Sequence, residues 1–364
     1  MSDFSGKRIL ILLLAGGVGD VLLSTVVLKP LKDYYPDSYI AMMVKTGMED
    51  LLEENELVSE VLSVRDGNLK GENFDYWLER VRERRFDIAI VLWNRSQEAH
   101  LVFRAGIPVR VGQGSRLFYS FLYTHKVSVR SEHGDVESHW TDIMLDYVRA
   151  LGIPVGKPEI SIRFHSDDVF YDMRLLLASN AGDCKAPFWG LHVCKGLELS
   201  PDRWPVKFFA ALGDAIVGEL GGSVVLTGTE RELPVVNAVA GLMRKPCVNA
   251  AGKTTLRELA ALMNCFDGFV APDTGPGHIA AVMGIPTVSI FALKSDFPNR
   301  WRPFGNKTAV VVPKSWTCSI GKCVKEKCCD GFMCYNDVDP AEVVARLSEM
   351  RPLYRVGDRA GRVF

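Results

Sequence analysis

The sequence predicts an α/β protein built as two doubly wound, Rossmann-like domains that face each other across a cleft. Three observations carry this expectation. A continuous apolar run at residues 8–14 leads at once into a glycine turn and a helical period, as at the start of a βαβ unit. The same alternation restarts on hydrophobic runs of its own after the breaker-rich stretch Ile153-Pro154-Val155-Gly156-Lys157-Pro158. The chain of 364 residues also exceeds the size at which one core stops growing. The expected divisions are residues 1–165 and 166–345, with a basic tail at 346–364 that either packs back on the first domain or stays disordered.

In the first half, residues 8–14 read as a central parallel strand buried on both faces. Ala15-Gly16-Gly17-Val18-Gly19-Asp20 is a turn, residues 21–32 carry a helical period, and residues 39–44 form the next strand. The glycines invite a dinucleotide-binding reading, but G-x-G-x-x-G counted from Gly17 and Gly19 needs a third glycine where Leu22 stands. Asp20 falls at the carboxyl end of the first strand, where a doubly wound sheet presents its ligand-facing groups. A helix cap and a catalytic base suit that position equally. Residues 50–85 are polar and mixed in charge, as in exposed helices and loops, and residues 86–93 are a further buried strand ending in Asn94-Arg95-Ser96. Arg104, Arg110, Arg116, Lys126 and Arg130 are then interleaved with Phe103, Phe118, Tyr119, Phe121 and Tyr123. Such a stretch could receive an anionic amphiphile, although arginines of this kind are more often solvated or paired. Residues 139–151 form a helix that closes the domain.

In the second half, residues 166–181 are helical, 188–193 a strand, and 194–204 a loop holding Lys195 and Arg203. A helix at 205–220 precedes a strand at 223–227 that ends in Thr227, then a loop at 228–230 that ends in Glu230. Ala251-Gly252-Lys253-Thr254-Thr255 resembles the end of a phosphate-binding P-loop, yet the first glycine of that motif would fall on Cys247. After a helix at 256–263 comes the most informative stretch: a short strand, the turn Asp273-Thr274-Gly275-Pro276-Gly277, a two-turn helix stopped by Gly284, and a second buried strand. Asp273 and Thr274 can cap that helix, while Gly275 and Gly277 keep side chains off the backbone amides. Free N–H groups at a helix start, reinforced by the dipole, suit a phosphate, and His278 lies on the same rim. Residues 340–350 form a last helix.

Hydrophobic residues at 48% and charged residues at 24% describe an ordinary globular protein, and a net charge of −1 argues against nucleic acid as the main partner. No run approaches the roughly 18 to 20 apolar residues of a membrane span. Residues 9–15 follow Lys7 and Arg8, but they are too few for an export signal and read as the first strand. Of nine cysteines, Cys184, Cys194, Cys247 and Cys265 are scattered, as in a reducing compartment. Cys318, Cys323, Cys328, Cys329 and Cys334 crowd together, with enough thiols for a four-coordinate site but no C-x-x-C pair. A structural zinc or iron-sulfur site on Cys318, Cys323, Cys328 and Cys334 is one reading, and reduced thiols are the other.

Several separated segments together resemble one family: residues 8–31 with Gly19-Asp20, Ser200-Pro201-Asp202-Arg203-Trp204-Pro205, residues 251–256, Asp273-Thr274-Gly275-Pro276 with His278, and Arg300-Trp301-Arg302-Pro303-Phe304-Gly305. In order and spacing they resemble the ADP-heptose:lipopolysaccharide heptosyltransferases, glycosyltransferase family 9, over most of the chain. The resemblance implies a GT-B fold, an ADP-sugar donor held by the second domain, an acceptor held by the first, and inversion at the sugar carbon. It implies no cofactor or metal for catalysis. By motif position Asp20 would be the general base, Arg203 would meet the donor diphosphate, and Glu230 would lie near the nucleoside. Asp273, Thr274, Gly275 and His278 would line the donor phosphates and sugar, with Lys195 and Thr227 beside them. Gly19, Asn94, Arg95 and Arg116 are the acceptor-side candidates. Gly277 stands where a methionine is common, and Ala292-Leu293-Lys294 where Gly-Pro-Thr is usual.

The chemistry is consistent with these roles. Departure of a diphosphate needs fixed donors for the developing charge, each able to contribute ~3 kcal/mol. A hydroxyl is a weak acid, so Asp20 would take its proton only as attack proceeds. The implied partners are an ADP-sugar donor, a lipid A-core or oligosaccharide acceptor, and transiently a membrane surface, with the protein in the cytoplasm at the inner membrane face. A non-catalytic sugar-nucleotide-binding protein of the same fold and a nicotinamide-dependent oxidoreductase are the competing readings.

Overall fold

The computed structural model describes residues 6–93, 95–160, 162, 167–180, 182–195, 201, 204–292, 297–314 and 333–350. The chain forms two units: Met1–Val169 with Phe297–Arg302, and Phe170–Asp296 with Pro303–Phe364.

The first unit runs β1 (Arg8–Leu13), α1 (Val18–Ser24), α2 (Leu28–Tyr34), β2 (Tyr39–Lys45), β3 (Glu60–Val64), α3 (Glu72–Glu83), β4 (Ile88–Val91), α4 (Ser96–Arg104), β5 (Val109–Gln113), β6 (His125–Val127) and α5 (Trp140–Arg149). Its six strands are all parallel, in the order β3-β2-β1-β4-β5-β6. That is the doubly wound order, with its reversal between β1 and β4. Leu10, Leu12 and Leu14 point to one face and join Trp77, Leu78 and Val81 of α3 and Leu101 and Val102 of α4 in one buried cluster. Ile9, Ile11 and Leu13, which point to the other face, are equally buried. A strand covered on both faces needs the unbroken apolar run that β1 has.

α6 (Asp167–Asn180) spans the change from first to second unit. The second unit follows with β7 (Phe188–His192), α7 (Val206–Leu220), β8 (Ser223–Thr227), α8 (Leu233–Leu242), β9 (Cys247–Asn249), α9 (Leu256–Met263), β10 (Gly268–Pro272), α10 (Gly275–Val282) and β11 (Thr287–Ile290). The short α11 (Pro298–Trp301) belongs with the first unit, after which β12 (Thr308–Val311) and α12 (Pro340–Glu349) complete the second. These six strands are also parallel, ordered β12-β11-β10-β7-β8-β9. Counted from β7, the winding repeats that of the first sheet, with its reversal between β7 and β10. Trp189 and Leu191 of β7 pack with Phe209, Leu212 and Ile216 of α7, Val236 and Val239 of α8, and Val343, Val344 and Leu347 of α12. Trp204, Phe208, Phe209 and Tyr335 pack ring to ring at one end of that core.

Some local readings change. The single helix expected at 21–32 is α1 and α2 joined by a 3-10 turn at Thr25–Val27, where the Thr25 hydroxyl donates to the Leu22 carbonyl at 2.7 Å. Residues 50–85, expected as exposed helices and loops, include β3, whose Leu62 and Val64 are buried while Glu60 pairs with Arg84 at 2.6 Å. An edge strand carries polar residues on its open side, and this masks the apolar period. The 346–364 tail reading lies mostly outside the described residues; of it, residues 346–349 form the end of α12, within the second unit.

Candidate active site

A doubly wound sheet binds its ligand outside the carboxyl ends of the strands, at the reversal of strand order. In the first unit that place belongs to the loops after β1 and β4. Asp20 sits in the first turn of α1, and one carboxylate oxygen accepts the Gly17 N–H at 2.8 Å. Asp20 therefore serves as a cap, and the residue is partly exposed. Gly16 makes the turn with φ +91°, and a β-carbon there would lie 2.7 Å from Cβ and Cγ of Asp20. Gly67, at φ +60°, is pressed against the Leu14 carbonyl, where a β-carbon would come within 2.2 Å. Only glycine combines that backbone with that proximity.

Arg95 ties these loops together. Its guanidinium donates to the carbonyls of Leu14 at 3.3 Å and Gly67 at 2.5 Å, and its Nε stands 3.3 Å from Glu98. Arg95 thus bridges the loops that follow β1 and β3. Glu98 is 1% exposed, and no hydrogen bond from a described residue reaches either carboxylate oxygen. Burial pushes its pKa up to about 7, against the pull of Arg95. The buried Tyr123 hydroxyl likewise accepts and donates nothing among the described residues. Arg116 is held by Glu132 at 2.6 Å on the turn after β5. Gly19 lies in the first turn of α1, and Asn94 lies outside the described residues.

Beside this edge, Trp140 stacks on Trp301 with centroids 4.5 Å apart and meets Trp93 in a tilted contact at 5.8 Å. Trp301 arrives on α11, the returning segment of the first unit. Buried His139 caps α5 by accepting the Thr141 N–H and donates from Nε2 to the Arg302 carbonyl at 2.8 Å. Burial lowers its pKa and keeps the ring neutral. A cleft of about 130 Å³ elsewhere on this unit, lined by Lys29, Asp33 and Lys157 among others, includes none of the candidate residues.

In the second unit the corresponding place lies between the loops after β7 and β10. There Lys195 and Asp273 come within 3.6 Å, and His278 stands 3.9 Å from the other oxygen of Asp273. Thr274 is the N-cap of α10, but its hydroxyl turns back to the Pro272 carbonyl at 3.2 Å and makes no cap hydrogen bond. This corrects the expectation of a Thr274 side-chain cap. Pro276 has no N–H and Gly277 N–H already bonds the Thr274 carbonyl, so the amide offered at this helix start is that of Gly275. Residues 273–276 are partly exposed. Gly277 is buried, with the place of its missing β-carbon 3.4 Å from Ala271 Cβ. A β-carbon there would make only ordinary van der Waals contact, so the local packing does not itself require glycine.

Thr227 ends β8 and exchanges a 3.0 Å hydrogen bond with buried His192, its register partner on β7. Glu230 is exposed on the following turn, while the neighbouring Glu232 is buried and accepts from the N–H and hydroxyl of Thr229 at 2.8 and 3.0 Å. Burial lowers the pKa of His192, with the Glu232 charge opposing. Arg203 lies outside the described residues, as do Cys318, Cys323, Cys328 and Cys329. Cys334 is half-buried and packs against the second unit's core. Among the described residues no cluster of metal-ligating side chains occurs.

Sequence reasoning missed Glu98, His192, Glu232, Trp93 and Trp140, and it named Trp301 only within a family segment. The signal for Glu98 was a carboxylate one turn from Arg95 in a helix otherwise apolar on that side. His192 and Thr227 each end a strand, and only the pairing of β7 with β8 makes them neighbours.

A family profile, Glycosyltransferase family 9 (heptosyltransferase), matches residues 77–330. The chain is 26% identical over 306 residues to lipopolysaccharide heptosyltransferase 2 of Salmonella typhimurium, a span covering 81% of this chain and 85% of that protein. The solved structure of a glycosyl transferase family 9 protein from Veillonella parvula matches with a TM-score of 0.78 at 22% identity, over 96% of this chain and 98% of that one. The structure of E. coli ADP-heptose lps heptosyltransferase II matches with a TM-score of 0.72 at 21% identity, over 94% and 98%. At these identities the structural likeness is one of fold: two doubly wound α/β halves of the GT-B class.

Proposed function

The chain belongs to glycosyltransferase family 9, and from that premise we propose that it moves a heptose from ADP-heptose to a hydroxyl of a lipopolysaccharide core acceptor, with inversion at the sugar carbon. It is a glycosyltransferase, and its curated relatives tie it to lipopolysaccharide core assembly. The observation that carries the finer reading is the meeting of Lys195, Asp273 and His278 beside the uncapped start of α10. A buried cation next to an open helix N-terminus suits a diphosphate, because neither group must reorganise as negative charge develops.

In this reading the second unit holds the donor through Lys195, the Gly275 amide and His278, with Thr227 and Glu230 toward the nucleoside. The first unit holds the acceptor beside Asp20. Asp20 accepts the hydroxyl proton as that oxygen bonds to the sugar carbon; the bond from that carbon to the diphosphate breaks, and its electron pair leaves with ADP. One displacement inverts the carbon. Lys195 and the helix start meet the departing charge, so no metal is assigned a step. The work would be done in the cytoplasm, at the membrane face that presents a lipid-linked core.

A thermal-shift comparison of nucleotides, followed by transfer from ADP-heptose to core oligosaccharide, tests the reading. ADP should stabilise the protein more than UDP, and product should carry the opposite anomeric configuration to the donor. Equal or reversed shifts would sink the ADP-sugar donor; retained configuration would sink the single displacement.

A further inference from the structure

The segment between β5 and β6 leaves the carboxyl edge of the first unit's sheet, the same edge from which the Asp20 loop departs. It is a firmly built turn. Ser120 is buried, its hydroxyl accepts the Arg116 N–H at 2.9 Å and donates to the Gln113 carbonyl at 2.6 Å, and the Ser120 N–H returns to the Arg116 carbonyl at 3.0 Å. Glu132 holds one shoulder through Arg116 and the Ser115 hydroxyl. Leu122 and Tyr123 sink the other shoulder into the core.

What this turn displays is apolar. Leu117 is 91% exposed and Phe118 87%, the highest values among the large hydrophobic side chains described, and Phe121 follows at 68%. Half-exposed Phe103 stands on α4, which packs against the Ser120–Leu122 turn. A fold that fixes a backbone so tightly while holding a leucine and a phenylalanine out in water presents them to something. Residues 103–126 contain Arg104, Arg110, Arg116 and Lys126 and no aspartate or glutamate, while Glu132 reaches the turn from outside this stretch and pairs with Arg116. Arg104, Arg116 and Lys126 are exposed.

We propose that the turn around Leu117 and Phe118 is a membrane-insertion tip. Leu117, Phe118 and Phe121 enter the boundary between headgroups and acyl chains, and Arg116 and Lys126 meet anionic headgroups. Side chains almost wholly free of neighbours suit a fluid layer, which closes around any shape. A protein partner would need a broad, packed complement, and three projecting side chains do not supply one. Cations around an apolar tip match the negative surface of an anionic leaflet. The inference rests on the reading that the acceptor is lipid-linked, since it gives this edge of the sheet a reason to lie against a bilayer.

The test is co-sedimentation of the full chain with vesicles of phosphatidylethanolamine and phosphatidylglycerol at 3:1, and with vesicles of phosphatidylcholine alone, in 0.1 M salt. Wild type should pellet with the anionic vesicles at least threefold better than with the neutral ones. Leu117→Ser with Phe118→Ser should reduce anionic-vesicle binding at least fivefold, with an unchanged melting temperature and unchanged transfer to a water-soluble, deacylated core oligosaccharide. Wild type that fails to pellet, a double variant that binds like wild type, or equal binding to both vesicle types would overturn the proposal. So would a wild-type dimer in analytical ultracentrifugation that the double variant dissolves, because the patch would then join two copies. Vesicle binding is read without turnover, so absent transfer in both proteins would count against the donor and acceptor assignments and not against the tip.

Discussion

The Lys195 ammonium lies 3.6 Å from the Asp273 carboxylate, and the two side chains are only 5% and 14% exposed. They follow β7 and β10, strands that pair in parallel with Gly268 opposite Trp189, so the reversal of strand order sets their approach. Lys195→Met should raise the KM for the nucleotide-sugar by about 10- to 100-fold, the worth of one hydrogen bond to a charged group. Asp273→Ala should instead lower unfolding stability by on the order of 3 kcal/mol, because it leaves a buried ammonium without this carboxylate. Urea titrations read the second effect and donor saturation curves the first. Combining the two substitutions should recover part of the lost stability.

Asp20 both caps α1 and stands as the proposed base, and one substitution separates the two roles. In Asp20→Asn the side-chain carbonyl can still accept the Gly17 N–H that the carboxylate now accepts, so melting should hold. The amide cannot take a proton, so kcat should fall by about 10²- to 10⁴-fold with little change in donor KM. Steady-state transfer assays decide it: an unaltered kcat would leave Asp20 as a cap and nothing more.

The glycines before Asp20 should differ in their tolerance. At Gly16 a β-carbon would sit 2.7 Å from the Asp20 side chain on a backbone with φ +91°, whereas at Gly17 it would lie 4.0 Å from the carboxylate. Gly16→Ala should cost about 1 to 3 kcal/mol and displace Asp20, lowering kcat with it. Gly17→Ala should leave both near the wild-type values. Parallel melts and kcat measurements on the pair would show it.

Glu98 should give stability a distinctive pH dependence. Its folded pKa is raised from 4.5 to about 7 by burial, so the folded chain holds a proton that the unfolded chain has released. Stability from this group is complete below about 4.5, declines as pH rises, and is lost above about 7. The total is on the order of 3 kcal/mol. Glu98→Gln cannot ionise, so its melting temperature should gain on wild type across that interval. Melts at half-unit steps from pH 4.5 to 8 measure the difference, and parallel curves would contradict the assignment.

The order of strands and helices in both halves was legible where the physics is local. Residues 8–14 are too apolar to lie anywhere but between two covered faces, and Gly284 ends α10 at φ +74° as a helix stop does. The turn Asp273-Thr274-Gly275-Pro276 announced a helix start beside a strand end for the same reason. Edge strands β3 and β6 escaped, because one open side lets polar residues interrupt the period, and so did β5, an inner strand of five residues that includes Arg110 and Gln113. Side-chain partnerships were not legible. Nothing in the order of residues says that the Thr274 hydroxyl turns away from its helix, that Arg95 spends its guanidinium on the carbonyls of Leu14 and Gly67, or that Lys195 meets Asp273. Those depend on which strands pair and at what register, and parallel pairing joins segments far apart in the chain. Sequence alone therefore determined that two wound sheets would each end in ligand-facing loops; tertiary structure decided which side chains in those loops hold each other and which remain open to a ligand.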